Sequence, residues 1–122
     1  MFPSFRSLTL RERELIEKLL EPEFPGRDEL LQQLGSATAR QIHDDGTLEL
    51  HCERGPQAPV TCSVPTEGEY QDADGRQVNV LLHVKGGLMW ELEILKLYPS
   101  EVRNPPQAGN LVVFAHHPER WP

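Results

Sequence analysis

The stretch VNVLLHVKGGLMWELEILKLY, residues 78–98, is the longest apolar-rich run of the chain. Its apolar residues largely alternate with polar ones on either side of Lys85-Gly86-Gly87, which is the pattern of two β-strands joined by a tight turn. Glycine is favoured in such turns because it adopts positive φ angles at little steric cost. The stretch therefore predicts a long β-hairpin.

The length of the hairpin loop decides which side chains share a face of the sheet. A two-residue loop at 86–87 pairs Leu82 with Glu91 and places carboxylates on the apolar face. A three-residue loop at 85–87, closed by a bulge, keeps every inward position apolar. We therefore predict the three-residue loop. Its four inward pairs are Val84 with Leu88, Leu82 with Trp90, Val80 with Leu92 and Val78 with Ile94.

The length of the chain predicts one domain, residues 1–122, with a core that needs neither disulfide nor metal to hold it. The chain has 12 Lys plus Arg against 19 Asp plus Glu, a formal charge of -7. This balance makes nucleic acid and anionic membrane poor partners and favours a basic protein partner. The N-terminus lacks the apolar core of a signal peptide, and no apolar run reaches the roughly 18 residues of a membrane span. We expect a cytoplasmic protein.

Two helices are predicted before the hairpin. Thr9 and Glu12 have the spacing of a capping box, and apolar residues then recur at helical spacing, which predicts a first helix from about 9 to 21. Pro22 ends it. A short second helix is predicted at 28–34, where leucines again recur at helical spacing before Gly35. Together these helices occupy about residues 9–34.

From residue 37 onward the apolar period changes to two, which predicts strands between Gly-containing turns. Tyr70 is expected opposite Val78 across the turn 72–75. The loop 99–110 contains three prolines and predicts an ordered loop or lid. The predicted segments are a weak strand at 37–43, strands at 47–53 and 60–64, the hairpin to residue 98, a short strand at 111–115 and a polar tail to residue 122.

These elements predict an α+β fold, in which two N-terminal helices pack on one face of a mainly antiparallel meander of five or six strands spanning about residues 37–98. The expected core from the helices is Leu15, Ile16, Leu19, Leu20, Leu30, Leu31 and Leu34. The expected core from the sheet is Leu48, Leu50, Val60, Val78, Val80, Leu82, Leu88, Trp90, Leu92 and Ile94. The other face of the sheet, called the open face below, is left uncovered.

The open face is the expected site of binding. A half-exposed antiparallel sheet carries polar residues there, but apolar side chains scattered among carboxylates suit contact with a protein partner. Leu95 and Leu97 add apolar positions to this face. The candidate partner-binding residues are Glu49, His51, Asn79, Leu81, His83, Met89, Glu91 and Glu93.

Chemistry on the same face is a second hypothesis. His51 and His83 with Glu91 and Glu93 could bind a divalent metal or provide an acid/base pair. Their spacing matches no named metal motif, and a solvated face is the ordinary interpretation, so we expect no catalytic residue, no metal and no cofactor. The cysteines, Cys52 and Cys62, form no CxxC motif and are expected to be two buried, reduced thiols.

The segments FPGRDELLQQL at 24–34 and LLHVKGGLMWELEIL at 81–95, with DGTLEL at 45–50 between them, resemble a group of small uncharacterised bacterial proteins. That group is catalogued only as a domain of unknown function. The similarity covers most of residues 6–98. The resemblance implies a bacterial origin and this order of elements, and it brings no catalytic residues with it.

The chain is also similar to immunity proteins that accompany bacterial toxins in its size, its acidity and its α+β build. This similarity is a general analogy and not a match of motifs. The first functional hypothesis is therefore a non-enzymatic interaction module that binds and neutralises a partner, with a basic toxin as the expected type. It would use the open face and the loop 99–110. The alternatives are a small metal- or ligand-binding domain or enzyme that uses the polar sheet face, and a structural homodimer that pairs through a strand edge.

Overall fold

A computed structural model describes residues 2–117, which form two α-helices and a seven-stranded antiparallel sheet. The predicted α+β class is confirmed, but five or six strands was too few. The strands are β1 (Arg6–Ser7), β2 (Thr38–Gln41), β3 (Leu48–His51), β4 (Thr66–Gln71), β5 (Gln77–Lys85), β6 (Leu88–Lys96) and β7 (Val112–Ala115). The helices are α1 (Leu10–Leu19), α2 (Arg27–Leu34) and a 3-10 turn at Ala108–Asn110. The predicted tail beyond residue 117 lies outside the described residues.

The strand order is β1-β2-β3-β6-β5-β4-β7, so the predicted meander is only partly right. Strands β1 to β3 and strands β4 to β6 each follow one another as neighbours. The two groups meet where β3 pairs with β6, with Leu48 opposite Leu92. Strand β1 precedes α1, and the 3-10 turn lies between β6 and β7. The helical elements therefore do not all precede the strands in the sequence. Neither α-helix in residues 2–117 is long and apolar enough to cross a bilayer.

Helix α1 begins with the predicted capping box. The Thr9 hydroxyl accepts the Glu12 N–H at 3.1 Å, and the Glu12 carboxylate accepts the Thr9 N–H at 2.9 Å. The same carboxylate binds the Arg6 guanidinium through bonds of 2.7 and 2.9 Å. Burial opposes ionisation of Glu12, but the bonds from Arg6 and Thr9 outweigh it and lower its pKa. Glu12 thereby ties the edge strand β1 to α1.

The core lies between the helices and the inner face of the sheet, with most of the expected leucines, valines and isoleucines buried. Leu31 and Trp90 were wrongly assigned to it, since each is 39% exposed. Val60 and Leu88 are only partly buried. Thr66 shows how closely α1 covers the sheet, because its hydroxyl donates to the Leu19 carbonyl at 2.6 Å.

Residues 52–65 form a loop, so the predicted strand at 60–64 is wrong. Prolines at 59 and 65 flank the segment and restrict the backbone at both of its ends, and the Val60 N–H donates locally to the Ala58 carbonyl at 2.9 Å. Single hydrogen bonds replace the ladder: the Ala58 N–H donates to the Gly87 carbonyl and the Val84 N–H to the Ser63 carbonyl, both at 2.8 Å. The loop is thereby held against the tip of the β5–β6 hairpin.

The central hairpin has a two-residue loop, so the predicted three-residue loop is wrong. Gly86 and Gly87 have φ angles of 60° and 78°. Lys85 pairs with Leu88 and Val84 with Met89, after which the register shifts so that His83 faces Glu91 and Leu82 faces Leu92. Trp90 is the extra residue of this β-bulge. The bulge corrects the parity of β6 after the tight turn, so Met89 points inward and the carboxylates remain on the open face.

A buried side chain from α2 supports this turn and bulge. Gln33 is 0% exposed, and its side-chain oxygen accepts the Met89 N–H at 3.0 Å. Its amide nitrogen donates to the carbonyls of Gly87 at 2.7 Å and Pro56 at 2.9 Å. One glutamine thus satisfies backbone groups of the hairpin and of the adjoining loop.

The predicted pairing of Tyr70 with Val78 is confirmed, but Val78 pairs on its other side with Lys96 instead of Ile94. The Lys96 ammonium lies 2.8 Å from the Asp72 carboxylate and 2.9 Å from that of Asp74. The side chains of Lys96 and Asp72 are 3% and 0% exposed. Burial alone would lower the pKa of Lys96, but its bonds to the two aspartates raise it.

The segment 99–110, the predicted proline-rich loop, is anchored on the helix side of the sheet. The Asp72 carboxylate accepts the N–H groups of Arg103 and Asn104, each at 2.8 Å. The Tyr70 hydroxyl donates to the Asn104 carbonyl at 2.6 Å, and Arg11 of α1 donates to the Pro106 carbonyl at 2.9 Å. These contacts hold the segment in place between the β4–β5 turn and α1.

Candidate functional site

The outward-pointing side chains of the central strands form the open face. Because side chains alternate along a strand, the residues between the buried ones all project to the side opposite the helices. The outward side chains are Arg40 on β2, Glu49 and His51 on β3, Glu67 and Glu69 on β4, Asn79, Leu81 and His83 on β5, and Glu91, Glu93 and Leu95 on β6.

The strand registers place four of these residues in one row: Arg40 faces Glu49, Glu49 faces Glu91, and Glu91 faces His83. The Arg40 guanidinium lies 2.7 Å from the Glu49 carboxylate and stacks 4.4 Å from the centre of the Phe5 ring. The positive charge of Arg40 is therefore paired with Glu49. The row continues with a second carboxylate, Glu91, directly opposite the first.

His83 forms its hydrogen bond diagonally across the strand pair. Its Nε2 atom lies 2.8 Å from the Glu93 carboxylate, and the two side chains are 23% and 32% exposed. The Trp90 ring meets the His83 ring at a T-shaped angle with 5.7 Å between centroids. Trp90 is the bulge residue. The tight turn and the bulge of the hairpin therefore also place an aromatic ring beside His83.

Glu91 completes a compact group with His83 and Glu93, called the His83 cluster below. One ligand atom from each of the three side chains lies within 4.8 Å of the other two. Within residues 2–117 the Glu91 carboxylate accepts no hydrogen bond and forms no ion pair. Burial raises the pKa of Glu91, an effect that His83 opposes and Glu93 reinforces. Glu91 is thus a half-buried acid without a bonded partner in the described part of the chain.

A second acidic group lies on β4. The Glu67 carboxylate accepts a bond from Asn79 at 2.7 Å and lies 2.7 Å from His116 Nε2. The Glu69 carboxylate accepts a bond from Gln77 at 3.2 Å. These bonds orient both carboxylates along the open face.

The structure brings most of the predicted binding residues together. Glu49, Asn79, Leu81, His83, Glu91 and Glu93 all lie on the open face. His51 also projects there, but it lies outside the His83 cluster. Its ring centroid is 5.6 Å from that of Phe5, and its Nε2 atom is 3.6 Å from the Glu53 carboxylate. The expected position of Met89 is wrong: the bulge turns it inward and leaves it 1% exposed.

Sequence reasoning missed Arg40, Glu67, Glu69 and the outward Trp90. The signal for the two glutamates was present, because in Thr66-Glu67-Gly68-Glu69-Tyr70 the acids alternate with residues that the structure buries. Trp90 carried no such signal, since its direction depends on the bulge.

The cysteines lie apart from these groups. Both are free; Cys52 is buried and Cys62 is half-buried. Burial raises the pKa of Cys52 to about 11, so that residue is a protonated thiol near neutral pH. The expectation of buried thiols holds fully for Cys52 alone.

The fold and its surface define a class: a small α+β protein whose antiparallel sheet is covered by helices on one face and carries acids and histidines on the other. The chain matches the family described as "Domain of unknown function (DUF6984)" over residues 5–106, and it belongs to that family. The resemblance to an uncharacterised domain family is thereby confirmed. Neither a curated protein nor a solved structure gives a significant match.

Proposed function

We propose that this protein is a non-enzymatic binding module that holds a basic surface of a partner protein against its open face. The observation that carries the proposal is that acidic and apolar side chains lie next to one another on this face across four strands. One row runs Glu93, Leu81, Glu67 and Phe114, and the next runs Leu95, Asn79, Glu69 and Val112.

The apolar members of these rows supply contact area. Leu81 and Leu95 are half-buried, while Phe114 and Val112 on the edge strand β7 are 39% and 65% exposed. Protein interfaces combine such apolar contacts with polar groups that fix orientation. A partner that covers both rows would bury this apolar surface and engage the carboxylates beside it, such as Glu93 and Glu67 on either side of Leu81.

The acidic side chains of these rows favour a partner with a positively charged surface. The chain has a formal charge of -7, and the carboxylates of Glu67, Glu69 and Glu93 all project from this surface. Complementary charge accelerates association and disfavours acidic competitors. A lysine- or arginine-rich surface is therefore the complement of the open face. We further propose an immunity-type role, the neutralisation of a basic toxin, because small acidic inhibitors act on basic toxins in this way.

The proposal is tested by isolating the protein gently from its source cells at low salt and recording a native mass spectrum. The expected species is a one-to-one complex with a basic protein. That protein, once identified and purified, is then measured against the wild type and two charge reversals. Glu69→Lys changes the open face, and Glu17→Lys makes the same charge change at an exposed position of α1.

Glu69→Lys is expected to slow association about tenfold or more at low salt and to flatten its salt dependence, because steering charge is lost. Glu17→Lys should change the association rate far less. Equal effects of the two reversals would contradict docking on the open face. A homodimer without any other protein would instead support pairing through a strand edge.

A further inference from the structure

We propose that His83, Glu91 and Glu93 form a binding site for a divalent transition-metal ion of the Zn²⁺ type. The inference concerns a ligand of the open face that the partner-binding proposal does not require. It rests on the geometry of the His83 cluster, on the chemistry of its donor atoms and on the balance of charge around it.

The geometry requires only small side-chain movements. The three donor atoms already lie within 4.8 Å of one another, and His83 Nε2 lies 2.8 Å from the Glu93 carboxylate. Zn²⁺ binds imidazole nitrogen and carboxylate oxygen at about 2.0–2.2 Å, which places tetrahedral ligand atoms about 3.3–3.6 Å apart. Rotation of the glutamate side chains can bring all three atoms to such distances while the paired strands β5 and β6 stay in place.

The donor set selects the kind of ion. One imidazole nitrogen and two carboxylate oxygens form a mixed set, whereas Mg²⁺ and Ca²⁺ prefer oxygen ligands alone. Imidazole together with carboxylate suits Zn²⁺, and three protein ligands leave a further coordination position to solvent. The half-exposed side chains of His83 and Glu93 give an ion direct access from solvent.

The charge balance around Glu91 is the independent second observation. Glu91 faces the like charge of Glu49 on β3. The positive charge of Arg40 is paired with Glu49, so Arg40 forms no ion pair with Glu91. No hydrogen bond or ion pair within residues 2–117 reaches the Glu91 carboxylate. Like charges directly opposite each other on neighbouring strands are destabilising. A divalent cation beside Glu91 and Glu93 removes this excess of negative charge.

Trp90 provides a direct readout, since its ring lies 5.7 Å from that of His83. The chain has two tryptophans, Trp90 and Trp121, so Trp121→Phe leaves Trp90 as the sole indole. In that background the full chain, stripped of metal by chelator, is titrated with ZnCl₂ at about pH 7.5. Calorimetry gives stoichiometry and affinity, and fluorescence shows whether Trp90 responds.

We expect one Zn²⁺ per chain together with a change in Trp90 fluorescence. His83→Ala and Glu91→Gln should each weaken Zn²⁺ binding by at least the roughly 10- to 100-fold that loss of a supporting residue costs a metal site. A tenfold excess of Mg²⁺ should not displace the ion.

Two controls separate this site from other histidines. His51→Ala removes an imidazole from the same sheet face outside the cluster, and His116→Ala/His117→Ala removes the pair that follows β7. Both variants should bind Zn²⁺ with unchanged affinity. Circular dichroism verifies that His83→Ala and the isosteric Glu91→Gln remain folded.

The proposal is overturned if Zn²⁺ fails to bind at concentrations up to about 1 mM. It is equally overturned if the folded His83→Ala and Glu91→Gln variants bind as the wild type does, or if binding disappears in the His116→Ala/His117→Ala variant. The partner experiment uses Glu69→Lys, a residue outside the cluster. Failure of the metal site and failure of partner binding are therefore distinguishable.

Discussion

The Gln33 side-chain oxygen accepts a hydrogen bond from the Met89 backbone N–H at 3.0 Å. Gln33 lies on α2, and Met89 directly precedes the bulge residue Trp90 on β6. The bond therefore joins the helical layer to the irregular part of the hairpin. Its partner bonds to Gly87 and Pro56 make Gln33 the shared support of the turn, the bulge and the loop 52–65.

Replacing Gln33 by leucine should destabilise the protein by about 3 kcal/mol, because buried backbone groups at the hairpin lose their partners. The measurement is urea unfolding followed by circular dichroism. Gln32→Leu is the matched control, since Gln32 is exposed, and it should change the free energy of unfolding by less than about 0.5 kcal/mol. Similar losses for both variants would contradict the structural role of Gln33.

The two turn glycines should differ in their tolerance of alanine. Both have positive φ, which costs a residue with a Cβ about 1–2 kcal/mol. A Cβ on Gly86 meets nothing within 4 Å, whereas a Cβ on Gly87 would lie 2.8 Å from Gln57 Cβ and 3.0 Å from the Ala58 nitrogen. Gly87→Ala should therefore cost roughly 1–3 kcal/mol more than Gly86→Ala. Equal thermal midpoints for the two variants would contradict the close packing of the loop 52–65.

Asp72 should contribute to stability above acid pH. Burial opposes its ionisation, but the Lys96 ammonium and the N–H groups of Arg103, Asn104 and Ala73 outweigh burial and lower its pKa. A lowered pKa in the folded state gives stability that is complete above the unfolded value, about 3.9, and is lost as the pH falls toward the folded value. Asp72→Asn should therefore be less stable than the wild type at pH 7, and the difference should shrink below about pH 4.

Urea midpoints at pH 7, 5 and 3 test this expectation. Asp28→Asn removes a carboxylate that is 77% exposed and should stay close to the wild type at each pH. A difference between Asp72→Asn and the wild type that is the same at pH 5 and pH 3 would show that ionisation of Asp72 does not stabilise the fold.

The two cysteines should react at different rates with a thiol reagent. Cys52 is 8% exposed and has its pKa raised to about 11, so at about pH 8 it is almost entirely protonated as well as inaccessible. Cys62 is half-buried and should be labelled first. In native protein Cys62→Ser should remove the fast phase of labelling and Cys52→Ser should leave it intact. Loss of the fast phase in Cys52→Ser would reverse the assignment.

The sequence predicted the parts of the fold that depend on local pattern. The capping box at Thr9 and Glu12 and the pairing of Tyr70 with Val78 follow from short-range spacing, and the structure contains both. The loop of the central hairpin was mispredicted because apolar parity alone could not show that a tight turn followed by a bulge restores the inward pattern. The residue before the bulge, Met89, bonds to Gln33, which lies more than 50 residues earlier in the chain.

The candidate site was predictable to the same extent. Alternation placed His83, Glu91 and Glu93 on one face, but it could not show that His83 bonds diagonally to Glu93. The excess of negative charge at Glu91 also depends on the pairing of β3 with β6, which joins two separate groups of strands. The buried Lys96 was not predicted, because its partner Asp72 lies on a distant turn.

The position of β7 has a consequence for synthesis of the chain. Strand β4 lies between β5 and β7, and β7 is the last in sequence of the strands within residues 2–117. As the protein emerges from the ribosome, β4 therefore keeps an unpaired edge until residues 112–115 have been made. An open edge invites pairing with a strand of another nascent chain. Glu67 and Glu69 on β4 discourage such pairing by placing like charges on two approaching edges.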